Sequence, residues 1–303
     1  MSAAARLPAP ASVLLLVDEA QAAAPLRDTL ASHADVVMVT DDVDEGMLLA
    51  QRSAVRLLVI SDAVPESISY PVVAALNRSR SSVVWLADAL SRPISLPASF
   101  TADWVWEYPT LPEALDAAIG ELTRPRFYSP WVESRLAAWS TYALLRGFDV
   151  TVRRGYHVRK TTRGLLELVS ALIPFAGLAV SGRLIVSASE MVLAAICRAS
   201  LGEEASDDDR QLYGLAGELA NLTLGRAQRD LRSQSADFAL GHPMLVSGEH
   251  FRLRYLSDRP SLVYCAEVDA GPVYFELCTD RSPERLGEGF TDGEDEGDDI
   301  VFL

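Results

Sequence analysis

Between residues 13 and 123, short apolar runs alternate with amphipathic stretches, and this alternation restricts the fold more than any other feature of the chain. The runs are VLLLV (13–17), VVMV (36–39), RLLVI (56–60), SVVWLA (82–87) and WVW (104–106). They are too short for helices, rich in β-branched and aromatic residues, and apolar on consecutive positions, which is the pattern of strands buried on both faces. Between and after them, QAAAPLRDTLASH, DEGMLLAQRS and LPEALDAAIGEL carry helical periodicity. Helices must then cover both faces of the sheet. Five such units predict an α/β domain over 13–123, a doubly wound (βα)5 arrangement with a parallel sheet.

A chain of 303 residues has room for a second domain. RPRFYSP (124–130) reads as a linker, because its prolines interrupt helix. Residues 131–281 begin with the helix WVESRLAAWSTYALLRG and continue with strand-like DVTVRRGYHV, GLAVSGRLIVSAS, HPMLVSGEHFRLRYL, SLVYCAEV and GPVYFELCTD. Helices fall around 189–201 and 208–232. This order predicts an α+β domain with an antiparallel sheet. Residues 1–12 read as a disordered leader and 282–303 as an acidic disordered tail. Its carboxylates precede Ile300-Val301-Phe302-Leu303, an ending that resembles in style the receiver-tethering tail of the unrelated phosphatase CheZ.

The net charge of −15 argues against nucleic acid as the main partner. No apolar run is long enough to span a bilayer, so no membrane role and a cytoplasmic location are expected. Four scattered histidines and three cysteines without paired spacing predict no metal site and buried, reduced thiols. Lys160 is the only lysine. It lies in RRGYHVRKTTR (153–163), a basic cluster that reads either as a dock for an acidic surface or as a solvated strand and loop.

GELANLTLG (217–225) lies in the predicted helix 208–232. On a wheel of about 100° per residue, Leu212, Leu215, Leu219 and Leu222 form the core-facing stripe. Gly214, Glu218, Asn221 and Gly225 share an adjacent arc. A glycine inside a helix costs roughly 1 kcal/mol relative to alanine. Either these glycines serve close packing within the chain, or they clear a face for a partner that meets the carboxylate and the amide.

Two resemblances follow from these residues. The segment 13–123 resembles response-regulator receiver domains, which carry an acidic pair after the first strand, a phosphorylatable aspartate after the third, a hydroxyl after the fourth and a lysine after the fifth. Asp18 and Glu19 match the acidic pair. Ser61, Ala87 and Tyr108 stand at the other three positions, and no lysine precedes Lys160. Asp62 is one residue off, which turns its side chain to the other face. The resemblance implies a pseudo-receiver that takes no phosphate; an unrelated flavodoxin-like domain is the alternative. Over roughly 130–280, the E-x-x-N pair, the following Gly225 and the downstream Pro243 resemble the CheC/CheX/FliY family of response-regulator phosphatases, CheX most of all.

That second resemblance implies hydrolysis of the acyl phosphate on a phosphorylated receiver domain. It assigns Glu218 to pairing with the partner's lysine and Asn221 to holding the attacking water. It implies no cofactor of the chain's own, Mg2+ on the partner receiver, and a homodimer. The chain departs from the family in three ways. Gly214 stands where Asp or Ser is common. The spacing to Pro243 is one residue short. In SEMVLAAI, Glu190 is followed by Leu193 where a second site would need Asn. The rival expectation is a non-catalytic adaptor that binds a response regulator or dimerises through both domains.

Overall fold

A computed structural model of the protein describes residues 12–17, 20–52, 55–76, 81–87, 96–97, 100–107, 119, 128–161, 165–178, 180–201, 209–232, 236–248 and 260–280. The expected leader up to residue 11, the acidic tail and the first residues of the expected linker lie outside them, as do Asp18, Glu19 and Tyr108; Ser12, expected in the leader, opens the first strand.

The N-terminal half contains β1 (Ser12–Leu16), α1 (Ala20–Leu30), β2 (Val36–Thr40), α2 (Val43–Arg52), β3 (Val55–Ser61), α3 (Glu66–Ala75), β4 (Ser82–Ala87) and β5 (Trp104–Glu107). Its strands run in the order β2-β1-β3-β4-β5, and every neighbouring pair is parallel. Alternate residues of each strand serve opposite faces. Val13, Leu15, Leu57, Val59, Val84 and Leu86 meet Leu26 and Leu30 of α1, together with Ile119. Leu14, Leu16, Leu58, Ile60, Val83 and Trp85 meet Ala50 of α2 and Val72 and Val73 of α3. Cover on both faces is why these strands read as unbroken apolar runs.

The C-terminal half contains α4 (Pro130–Phe148), β6 (Arg154–Lys160), β7 (Val169–Gly177), β8 (Ser181–Ala188), α5 (Glu190–Leu201), α6 (Asp209–Arg232), β9 (Phe238–Leu240), β10 (Met244–Ser247), β11 (Ser261–Val268) and β12 (Gly271–Thr279). The order β10-β7-β8-β12-β11-β6 is antiparallel throughout, with β9 also on β7. The helices α4, α5 and α6 pack on one face, through Leu136, Leu144, Val192, Ile196, Leu215 and Leu219 among others.

The two halves are not separate sheets. β5 pairs β6 in parallel, with Trp104 opposite Arg159 and Val105 opposite Lys160, so one sheet runs from β10 to β2. One apolar cluster crosses this seam, from Leu58, Trp85 and Val105 to Val158, Val263, Cys265 and Tyr274. The stretch 124–130, read as linker, ends in built structure. Tyr128 is fully buried, and its hydroxyl donates toward the carbonyls of Leu277 and Pro260, at 3.1 and 3.3 Å. Ser129 caps α4 by accepting from Val132 N–H, and Pro130 opens the helix, where its missing N–H has no intrahelical partner to lose. Proline starts this helix rather than preventing one.

β7 corrects a boundary. GLAVSGRLIVSAS reads as one strand but spans a turn: β7 ends at Gly177 and β8 begins at Ser181. Pro174 disguises β7, since proline argues against a central strand. Here it sits between the stretches of β7 that pair with β9 and β10, and its carbonyl accepts from Gly241 N–H at 2.8 Å.

Candidate functional site

The 24-residue helix α6 is fixed by its buried stripe, Leu212, Leu215, Leu219 and Leu224, with Ala216 and Ala220 closing onto the sheet. Leu222 departs from the expected stripe. It is half-buried at the rim between α6 and α4, where its Cδ1 fills the space a Cβ on Gly147 would need. Glu218 is exposed and Asn221 half-buried, one turn apart. Among the described residues neither side chain has a hydrogen-bond or ion-pair partner. A Cβ on Gly214 or on Gly225 would meet nothing within 4 Å. Close packing within the chain therefore explains neither glycine, and the face they share with Glu218 and Asn221 is open.

Gly217 faces a second piece of the site. A Cβ there would stand 3.7 Å from Leu245 and 3.9 Å from Pro243, both ordinary contact distances. The turn 241–243 is held by the Gly241–Pro174 hydrogen bond, and only glycine fits at 241, since a Cβ would lie 2.6 Å from Cγ of Pro174. That approach sets exposed Pro243, followed by Met244 and Leu245 at about half exposure, on the flank of α6. Of the residues predicted for this site, Glu218, Asn221, Gly214 and Gly225 share the α6 face, and Pro243 borders it.

The SEMVLAAI segment forms α5. Leu193 is fully buried in the core, and Glu190 accepts from the Tyr213 hydroxyl at 3.2 Å. Position 193 thus points away from any surface.

At the carboxyl ends of the parallel strands, where open α/β sheets place their ligands, Ser61 ends β3 and Ala87 ends β4. The Ser61 hydroxyl accepts from Ala63 N–H at 3.3 Å, and Ala87 is buried. The Asp62 N–H donates to the Leu86 carbonyl at 2.9 Å. Ser61 and Ala87 are neighbours there and offer no carboxylate. Among the described residues no group of three His, Cys, Asp or Glu side chains is placed to hold a metal ion, and no helix is long and apolar enough to cross a membrane.

The described part of the basic cluster, residues 153–161, makes its contacts within the chain. Arg153 pairs with Asp269, Arg154 donates to Thr101 at 2.9 Å, and Arg159 pairs with Glu133. Lys160 is buried, its Nζ 2.7 and 2.9 Å from the two Glu276 oxygens. The Ser261 hydroxyl lies 2.6 Å from Glu276 Oε1. Nearby, burial lowers the pKa of His157, partly opposed by Glu133. Burial pushes the Cys265 thiol up to about 12 and raises that of Cys278 further.

Sequence reasoning assigns α4 no part in the site. The structure runs α4 antiparallel to α6, so that Trp139 donates to Asp230 at 2.7 Å and Tyr142 lies beneath Arg226 and Arg229. The signal available in sequence, Tyr142 and Arg146 four apart and Arg226 and Arg229 three apart, carries no meaning until the two helices are paired.

Residues 169–267 match the family model of the chemotaxis phosphatase CheX. The matched span begins with β7, ends one residue short of the end of β11, and includes α6 with Gly214, Glu218, Asn221 and Gly225, as well as Pro243. The N-terminal half, α4, β6 and β12 lie outside it. No curated protein sequence matches the chain. Among solved structures, a CheC-like superfamily protein from Shewanella sp. PV-4 is 24% identical with a TM-score of 0.44, over 49% of this chain and 96% of that one. CheX from Vibrio vulnificus is 21% identical with a TM-score of 0.41, over 52% and 99%. The CheX–CheY–BeF3–Mg2+ complex from Borrelia burgdorferi gives 17% identity and a TM-score of 0.41, over 49% and 97%.

Proposed function

We propose that the C-terminal half is an aspartyl-phosphate phosphatase acting on the receiver domain of a partner response regulator. The observation that carries this reading is the open face of α6, where unpartnered Glu218 and Asn221 stand one turn apart between two glycines without packing duty, inside the span that matches CheX. Phosphoryl transfer asks the protein mainly to position groups and oppose charge. A carboxamide both donates and accepts hydrogen bonds, so Asn221 can hold one water in line with the phosphorus. Glu218 supplies a carboxylate for the lysine of the partner's site. An exposed pair of this kind is worth at most about 1 kcal/mol, so its work is alignment. The partner receiver would bring the Mg2+; this chain needs no cofactor of its own. The N-terminal half, with Ser61 and Ala87 where a phosphoacceptor and a hydroxyl would be, serves as a receiver-like unit that takes no phosphate.

Phosphate release from a panel of phosphorylated receivers of the source organism tests the proposal. At least one should lose phosphate faster than it does spontaneously. Asn221→Ala should lower kcat by about two orders of magnitude while binding survives. Full activity in that variant would place hydrolysis elsewhere. Gly214, at a position where the family often has Asp or Ser, favours a second reading: an adaptor that binds receivers without hydrolysing them. Binding with a phosphate lifetime equal to the spontaneous one would select it.

A further inference from the structure

We infer that α4 and the C-terminal half of α6 form a cationic ledge that docks the acidic face of the phosphorylated receiver. This inference rests on the phosphatase reading for the identity of the partner. Tyr142 of α4 carries two guanidinium groups on its ring, Arg226 at 5.0 Å and Arg229 at 5.8 Å. The Arg226 charge is met by Asp230 at 3.3 Å, and Asp230 is further engaged by Trp139. Arg229 is different. Its Nε turns back to the Gly225 carbonyl at 3.4 Å, it is exposed, and among the described residues it faces no carboxylate. Folding back one turn brings the guanidinium beside the carbonyl of Gly225, a residue roughly 6 Å along the axis from Asn221 at 1.5 Å per residue, and leaves the face above Gly225 open. Exposed Arg146 stands one turn beyond Tyr142 on α4, next to Gly147, which meets Leu222 of α6.

The ledge thus continues the Gly214–Glu218–Asn221–Gly225 face and ends it in positive charge. That sign is opposite to the chain's net −15, so it does not follow from average composition. It complements a surface holding a phosphoryl group and the carboxylates around it. Stacking on Tyr142 restricts the Arg229 side chain before the partner arrives, which lowers the ordering cost of the contact. Arginine and tyrosine are also the residue types in which binding energy concentrates at protein interfaces.

The test uses the full chain and a purified receiver, phosphorylated for hydrolysis and loaded with BeF3− for binding by fluorescence anisotropy, over a series of salt concentrations. Arg229→Glu should raise KM and Kd by about tenfold or more at low salt, leave kcat within about twofold, and flatten the salt dependence. Arg229→Lys should keep most of the affinity. Arg153→Ala, which removes a charge already paired with Asp269, should behave as the parent. Unchanged KM and Kd in Arg229→Glu would overturn the ledge while leaving the phosphatase intact. A parent that binds with Arg229-dependent affinity but never hydrolyses would overturn the phosphatase reading and leave the ledge standing. A parent that binds no BeF3−-loaded receiver would overturn the ledge.

Discussion

Lys160 shows how one residue can be conspicuous in the sequence for a reason the sequence does not state. As the only lysine in a basic cluster it invites a surface role, yet it lies fully buried, bonded to both oxygens of Glu276, whose Oε1 also accepts from the Ser261 hydroxyl and the Cys278 thiol. Removing one member of a buried pair leaves an uncompensated charge and costs about 3–5 kcal/mol. Lys160→Met is therefore expected to lower the urea midpoint strongly, and Lys160→Met with Glu276→Leu to recover much of the loss; equal midpoints for the single variant and the parent would mean that the pair contributes nothing. Burial that raises the Cys265 and Cys278 thiols leaves almost no thiolate at neutral pH, and Cys197 is buried as well. Titration with a thiol reagent should find no reactive cysteine in the folded chain and three after denaturation. The Lys160–Glu276 pairing joins positions 116 residues apart, and no local pattern encodes it. The burial of the thiols, by contrast, was legible from their apolar neighbours.

At the level of elements, α6 separates what its sequence dictates from what it leaves open. Its leucine spacing fixes which face is buried, and Leu219 in that stripe has no exposed surface. Leu219→Ala should cost roughly 2–5 kcal/mol through the cavity it leaves. Gly214→Ala and Gly225→Ala should do the reverse. With nothing within 4 Å of either new Cβ, each should stabilise the helix by about 0.5–1 kcal/mol. If the open face receives a partner, the same variants should weaken receiver binding, so that a gain in thermal midpoint accompanies a loss of affinity. Stabilisation without any loss of binding would count against the face. The five parallel strands were legible to within a residue or two because burial on both sides writes itself as an apolar run. β7 was not, because Pro174 and the turn at Gly177 break that pattern. Glu218 and Asn221 were legible as residues, whereas the flank of Pro243, Met244 and Leu245 depends on the contact between Gly241 and Pro174, which only the folded chain reveals.

At the level of the molecule, the β5–β6 pairing makes the N-terminal half the cover of what would otherwise be an open sheet edge. Only two register pairs join the strands, Trp104 with Arg159 and Val105 with Lys160, but Arg159 also lies over the Trp104 ring at 5.9 Å and a shared apolar cluster runs beneath. A fragment of residues 128–281 would expose the β6 edge and the apolar side of Val158 and Cys265. Uncovered edges pair with other chains, so this fragment is expected to self-associate in light scattering at concentrations where the full chain shows no additional association. A fragment no more associated than the full chain would mean that the seam is dispensable. The seam also governs the chemical visibility of the protein. Its only lysine side chain is sealed there, so a reagent that acylates or tags lysine amines finds no lysine target among these 303 residues until β6 leaves β11 and β12. Amine-reactive mass labelling of Lys160 would then time the opening of the whole assembly with a single atom.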